Sequence, residues 1–253
     1  MLHDQLTPDR VVDSEAALEF MKEATKLATN AELEDIGERL DAKSADIGRL
    51  LGVGEIASLD EDGFKCLLGM MFSLRRKSGR LIRANGMDTL RDELSLLLYG
   101  GGSPAERLDR FTGAVNGVEE AMVLALATEC LHFTDPRRYW LWTHWIWNPE
   151  SGTGAMPLVV RDEVDLGGDT VGEIYNNIGR ATAFVNAEGH SAGYAGSGRG
   201  LFGTDVFLAC VYAVYMYTVF RVKLSQEFNR ILPELPELVS RVLGVQSMGE
   251  QDA

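Results

Sequence analysis

The chain has 253 residues, 45% of them hydrophobic, enough to bury the core of one large domain or two modest ones. Its formal net charge of -14 repels a phosphate backbone, which excludes general nucleic-acid affinity and leaves only binding by locally gathered cations. The acidity is uneven, because residues 1–62 hold sixteen Asp and Glu against six Lys and Arg, a net of -10 that leaves -4 on the other 191 residues.

In chain order, Ser14 fits the N-cap of a helix whose apolar positions are Ala16, Leu18, Phe20, Met21, Ala24, Leu27 and Ala28. Residues 34–51 carry a second repeat through Leu40, Ile47 and Leu51. Both helices have an acidic outer face, so residues 1–60 are expected to form an acidic helical extension that covers the core or docks a basic partner. From Asp60 the chain starts an apolar helix and changes character at Ser73. Residues 73–91 contain six cations, Arg75, Arg76, Lys77, Arg80, Arg83 and Arg91, against one anion, Asp88. Two uses fit this cluster: complementing a helix C-terminus and the acidic extension, or binding phosphate or an acidic partner. No aromatic residue is interleaved within it to stack on bases.

A helix over 87–98 is stopped by the glycines of YGGGSP, and Ser103 and Pro104 fit the N-cap and first position of the next, over 105–111. The turn at Asn116-Gly117 leads to a helix over 118–133 that is uncharged from 121 to 127 and must therefore be buried. Asp135-Pro136 ends it. The passage LHFTDPRRYWLWTHWIWNPESGTG then holds all four tryptophans, Trp140, Trp142, Trp145 and Trp147, within eight residues. The spacing 140, 142 suits a strand and 142, 145 suits a helical turn. With residues 156–160 as a second short strand, a β-hairpin near 138–160 is one outcome. A polar helix over 169–186, a glycine-rich stretch, a long helix capped by Thr204 or Asp205, and a last helix after Pro233 complete the chain, with a flexible tail at 246–253.

The fold expected is mainly α: a single globular helical core domain over 61–245 behind the acidic extension. The uncharged run 206–220 is 15 residues, short of the roughly 20 that cross a bilayer, and carries Tyr212, Tyr215 and Tyr217, so it reads as a buried helix. Cys66, Cys130 and Cys210 lie in apolar contexts and read as buried thiols in a reducing compartment. The N-terminus MLHDQLTPDRVVD lacks the apolar core of a signal peptide. A cytoplasmic protein without membrane association is expected.

Phe111-Thr112-Gly113-Ala114-Val115-Asn116-Gly117-Val118 with Glu119-Glu120-Ala121 form a candidate hairpin, and LHFTDPRRYWLW follows downstream. Through these motifs residues 64–147 resemble the core of the helix-hairpin-helix DNA glycosylase superfamily. The resemblance implies a helical scaffold and DNA binding. It also locates departures: Glu119 replaces the second hairpin glycine, whose amide would face a phosphate, and Thr143 falls near the family's catalytic aspartate. Residues 120–133 hold no lysine to serve as nucleophile, and three dispersed cysteines cannot ligate an iron-sulfur cluster.

Chemistry-bearing residues are few. Glu129 and His132 stand at the i, i+3 spacing of helical carboxylate-histidine metal sites, but no second Glu-x-x-His exists. His144 between Trp142 and Trp145 could act as a general base, with Asp135 or Glu150 as its acidic partner, or bond a carbonyl. The glycine-rich GYAGSGRGLFG lacks a phosphate-loop lysine, leaving Arg199 as its one anion contact. The tryptophans have three uses: core anchors, an exposed partner anchor together with Arg137, Arg138, Tyr139 and His144, or an aromatic pocket for a flat ligand or flipped base. The leading expectation is a non-catalytic accessory protein that contacts a protein partner through Arg137, Arg138, Tyr139, Trp140, Trp142, His144, Trp145 and Trp147, with no cofactor or metal. The alternative is a nucleic-acid-binding relative of the glycosylases that uses Arg75, Arg76, Lys77, Arg80, Arg83 and Arg91. An enzyme centred on His144 and Glu129 is the third.

Overall fold

The computed structural model describes residues 8–192, 200–223 and 233–245. The expected flexible tail at 246–253, and Arg199 with most of its glycine-rich loop, lie outside the described residues. The chain is mainly helical: α1 (Pro8–Val11), α2 (Ser14–Leu27), α3 (Asn30–Leu51), α4 (Glu61–Gly69), α5 (Ser78–Asn85), α6 (Met87–Tyr99), α7 (Pro104–Ala114), α8 (Glu120–Thr134), α9 (Val171–Ala192), α10 (Gly203–Lys223) and α11 (Leu235–Val242). Among the described residues the only β pairing is two isolated antiparallel bridges, Val12 with Val160 and Asn148 with Thr153.

The hairpin expected near 138–160 is therefore replaced by an irregular segment. Residues 156–160 do meet the tryptophan passage, since the Ala155 and Met156 amides donate to the Trp145 and Ile146 carbonyls at 2.9 Å each. But Met156–Leu158 is a single 3-10 turn. Gly154 sets the geometry: its φ is 138°, and a Cβ there would lie 2.4 Å from the Ile146 carbonyl oxygen.

Contacts divide the helices into two compact units, residues 1–39, 145–165 and 180–253, and residues 40–144 with 166–179. In the first unit α10 packs on α2 and α11. Asp13, rather than Ser14, caps α2, accepting from the Ala16 amide at 3.0 Å. Ser14 instead donates to Glu188 at 2.8 Å. The stretch Gly200–Val219, which runs into α10, is long and apolar enough, by length and composition, to cross a membrane, and 67% of it is buried. Val206, Phe207, Leu208, Ala209, Cys210, Val211 and Ala213 are all core residues.

In the second unit α6, α7 and α8 pack on one another, and α5 packs on α4 and α6. The sequence signals at these ends act as expected: Ser103 and Glu106 form a reciprocal capping box with Pro104 in the first turn. The end of α6 is closed by a residue with no such signature. The Arg107 guanidinium, 6% exposed, donates to the Leu97 and Leu98 carbonyls at 2.5 and 2.8 Å, supplying positive charge where the helix dipole is negative. Asp109 does the converse for α9, accepting from the Thr170 hydroxyl at 3.0 Å and the Gly172 amide at 2.8 Å.

Candidate functional site

The apolar α8 carries Glu129 and His132 into the interior of the second unit. The carboxylate of Glu129 pairs with Lys43 at 2.8 Å, and the Lys43 ammonium lies 4.1 Å from the centre of the Phe133 ring. Lys43 belongs to the same stripe of α3 as Leu40, Ile47 and Leu51, which is why a charged side chain enters the core there. His132 Nδ1 is 2.8 Å from the Tyr139 carbonyl; a carbonyl only accepts, so Nδ1 carries the proton. Glu129 and His132 thus have protein partners, and among the described residues no group of three or more His, Cys, Asp or Glu is arranged to hold a metal. Burial, with the Glu129 charge next in size, pushes the neighbouring Cys130 thiol up, away from thiolate chemistry. Thr143 is 7% exposed, and its hydroxyl has no partner among the described residues.

The aromatic passage behaves differently from the expected docking surface. Tyr139 and Trp142 are buried, at 5% and 1% exposure. The Trp142 carbonyl accepts from the Thr128 hydroxyl, and the Tyr139 hydroxyl accepts from Arg107 at 3.0 Å. Trp140 is half-buried, its amide bonded to the Tyr175 hydroxyl at 3.1 Å and its ring against Gly179, where a Cβ would come within 2.9 Å. His144 is half-buried and makes no hydrogen bond or ion pair among the described residues, Asp135 included. In the first unit Trp145 and Trp147 are also half-buried, and the Trp145 ring lies 6.1 Å from that of Tyr212. Only Arg137 and Arg138 are exposed. Tyr139 and Trp142 are withdrawn from any partner-facing surface because their rings lie in the core, where the Tyr139 hydroxyl also has Arg107 as its partner. Trp142→Ala should accordingly cost about 3–5 kcal/mol of stability, read by chemical denaturation.

The basic cluster is the feature that the fold presents. In the turn between α4 and α5, Met71 and Leu74 are fully buried. The Leu74 and Arg75 amides both donate to the Met71 carbonyl at 3.0 Å. This anchoring turns Phe72, Arg75 and Arg76 outward. Phe72 is 44% exposed, with the Arg75 guanidinium 5.1 Å from its ring centre. On α5 the buried Leu81 holds the inner face, while Arg80 and Arg83, three residues apart, are exposed on one outer face. The far end of α5 is fastened to the turn before α8: Asn85 Nδ2 donates to the Asn116 carbonyl at 2.7 Å, and the Asn116 amide donates back to Asn85 Oδ1 at 2.9 Å. Gly117, at φ 101°, allows the approach, since a Cβ would meet that of Ala84 at 2.6 Å.

Arg76, Arg80 and Arg83 make no ion pair among the described residues. Lys77 is half-buried. Arg91 is half-buried and paired with Asp88 at 3.0 Å, so it stands apart from the exposed group. Glu119 faces the cluster: its own backbone amide, then Lys77 and Arg80, hold its carboxyl below the usual range. Sequence reasoning missed Phe72, which lies one residue before the boundary drawn at Ser73, and Cys66, which is exposed rather than buried. It also missed Lys43 and Arg107, whose positions within apolar helix stripes were the available signal. No family model, curated protein or solved structure matches the chain, so its function rests on this geometry.

Proposed function

We propose that this is a cytoplasmic, non-catalytic accessory protein that binds nucleic acid through its phosphate backbone, using Arg75, Arg76, Lys77, Arg80 and Arg83. The observation that carries the reading is the outward presentation of four arginines, fixed in place by the buried Met71, Leu74 and Leu81. A chain of net charge -14 gathers four exposed arginines between residues 75 and 83, which is the local exception that phosphate binding by an acidic protein requires. The helix pair α7 and α8, joined by the Asn116-Gly117 turn against α5, supports a proposed kinship with the helix-hairpin-helix proteins. Three free thiols fit the proposed compartment, and the buried apolar residues of α10 support a core helix rather than a membrane anchor. A protein partner bound through the 137–147 passage has less support, since Tyr139 and Trp142 face inward.

The test is fluorescence anisotropy of a labelled oligonucleotide titrated with the full chain at low salt. Saturable binding that weakens as salt is added is expected, and no change in anisotropy ends the reading. Glu119→Gln sharpens it, because it removes the anion beside Lys77 and Arg80. Binding should tighten by about two- to fivefold, the scale of one surface charge pair.

A further inference from the structure

We infer that the nucleic acid taken by this surface is single-stranded, with Phe72 as a stacking platform for an unpaired base. The inference rests on the phosphate-binding reading above and adds the class of strand.

A phenylalanine in an apolar turn belongs inside. Here Met71 and Leu74 take the two inward positions, and Phe72 is left 44% exposed beside Arg75 and Arg76. The Arg75 guanidinium lies over the ring, 5.1 Å from its centre, which joins a cation and an aromatic ring in one surface. To a surface that reads only phosphates an exposed ring adds no more than a seat for Arg75, whereas a single strand offers both charges and open base faces. Aromatic rings that stack on bases, next to cations that track the backbone, are the physical basis of binding to unpaired strands. In a duplex the base faces are already stacked on each other and the ring has nothing to cover. The remaining cations, Arg80 and Arg83 on the outer face of α5, extend the charge from Phe72 along that helix. No bond is made or broken.

The experiment compares three probes on the full chain: a labelled oligothymidine, a duplex of mixed sequence, and inorganic polyphosphate as a competitor that carries charge without bases. Phe72→Ala should weaken oligothymidine binding by about tenfold or more, the loss of one stacked base, while leaving duplex and polyphosphate binding and the salt dependence unchanged. Phe72→Leu, which retains apolar area without a π face, should lose nearly as much, and Phe72→Trp should retain affinity. Thermal melts monitored by circular dichroism establish that the variants are folded. Equal oligothymidine affinity in Phe72→Ala and the parent would overturn the inference and leave the phosphate surface standing. An equal loss on all three probes would also overturn it, by making Phe72 a support for the arginines. Failure of the parent chain to bind any probe would remove the reading beneath it.

Discussion

Lys43→Met is expected to lower the free energy of unfolding by about 3–5 kcal/mol, because it leaves the Glu129 carboxylate buried without its counter-charge. The Lys43 and Glu129 side chains are only 3% and 10% exposed, so solvent cannot replace the lost partner. The contact of the ammonium with Phe133 is lost as well. The double variant Lys43→Met with Glu129→Met should recover most of that loss, since an apolar pair of similar volume avoids the desolvation of both charges. Chemical denaturation of the parent, both single variants and the double variant closes the cycle. Additive losses in the double variant would show that the two charges do not act as a pair. The same cycle bears on function: a pair that serves only to join α3 to α8 can be replaced without loss of oligonucleotide binding.

The second large effect is expected at the surface. Replacing Arg75, Arg76, Arg80 and Arg83 together by Ala should weaken oligonucleotide binding by about two orders of magnitude or more at roughly 0.1 M salt. Each phosphate contact that is removed takes about 0.7 of a unit from the slope of log K against log salt for a single strand. Stability should change by less than about 0.5 kcal/mol per site, because these side chains are exposed. Loss of binding with an unchanged melt separates recognition from folding. Equal affinity in the folded quadruple variant would relocate binding away from this surface, with Arg137 and Arg138 the next exposed cations to test.

The helices were legible in the sequence wherever a local signal sufficed. Ser103-Pro104 marked the start of α7, Asp135-Pro136 the end of α8, and Tyr99-Gly100 the end of α6, because caps and breakers act within one turn. The tryptophan passage was not legible, since its spacing fits strand and helical turn equally and its irregular course depends on tertiary partners. The Thr128 hydroxyl donates to the Trp142 carbonyl, and the Tyr175 hydroxyl accepts from the Trp140 amide and donates to its carbonyl, contacts that lie 14 and 35 residues apart in sequence. The basic cluster was legible as composition, but its presentation was not. Which of its members face out depends on Met71, Leu74 and Leu81 being buried, and on Asp88 engaging Arg91. Phe72 escaped notice for the same reason: an apolar residue beside a buried methionine reads as core until the turn is built.

The most direct test of phosphate-backbone binding is the affinity of the unmodified chain for a single-stranded oligonucleotide across a series of salt concentrations. Four to five cations engaging phosphates predict a straight line of log K against log salt with a slope of about -3. A slope near zero, or no binding at the lowest salt, would contradict it.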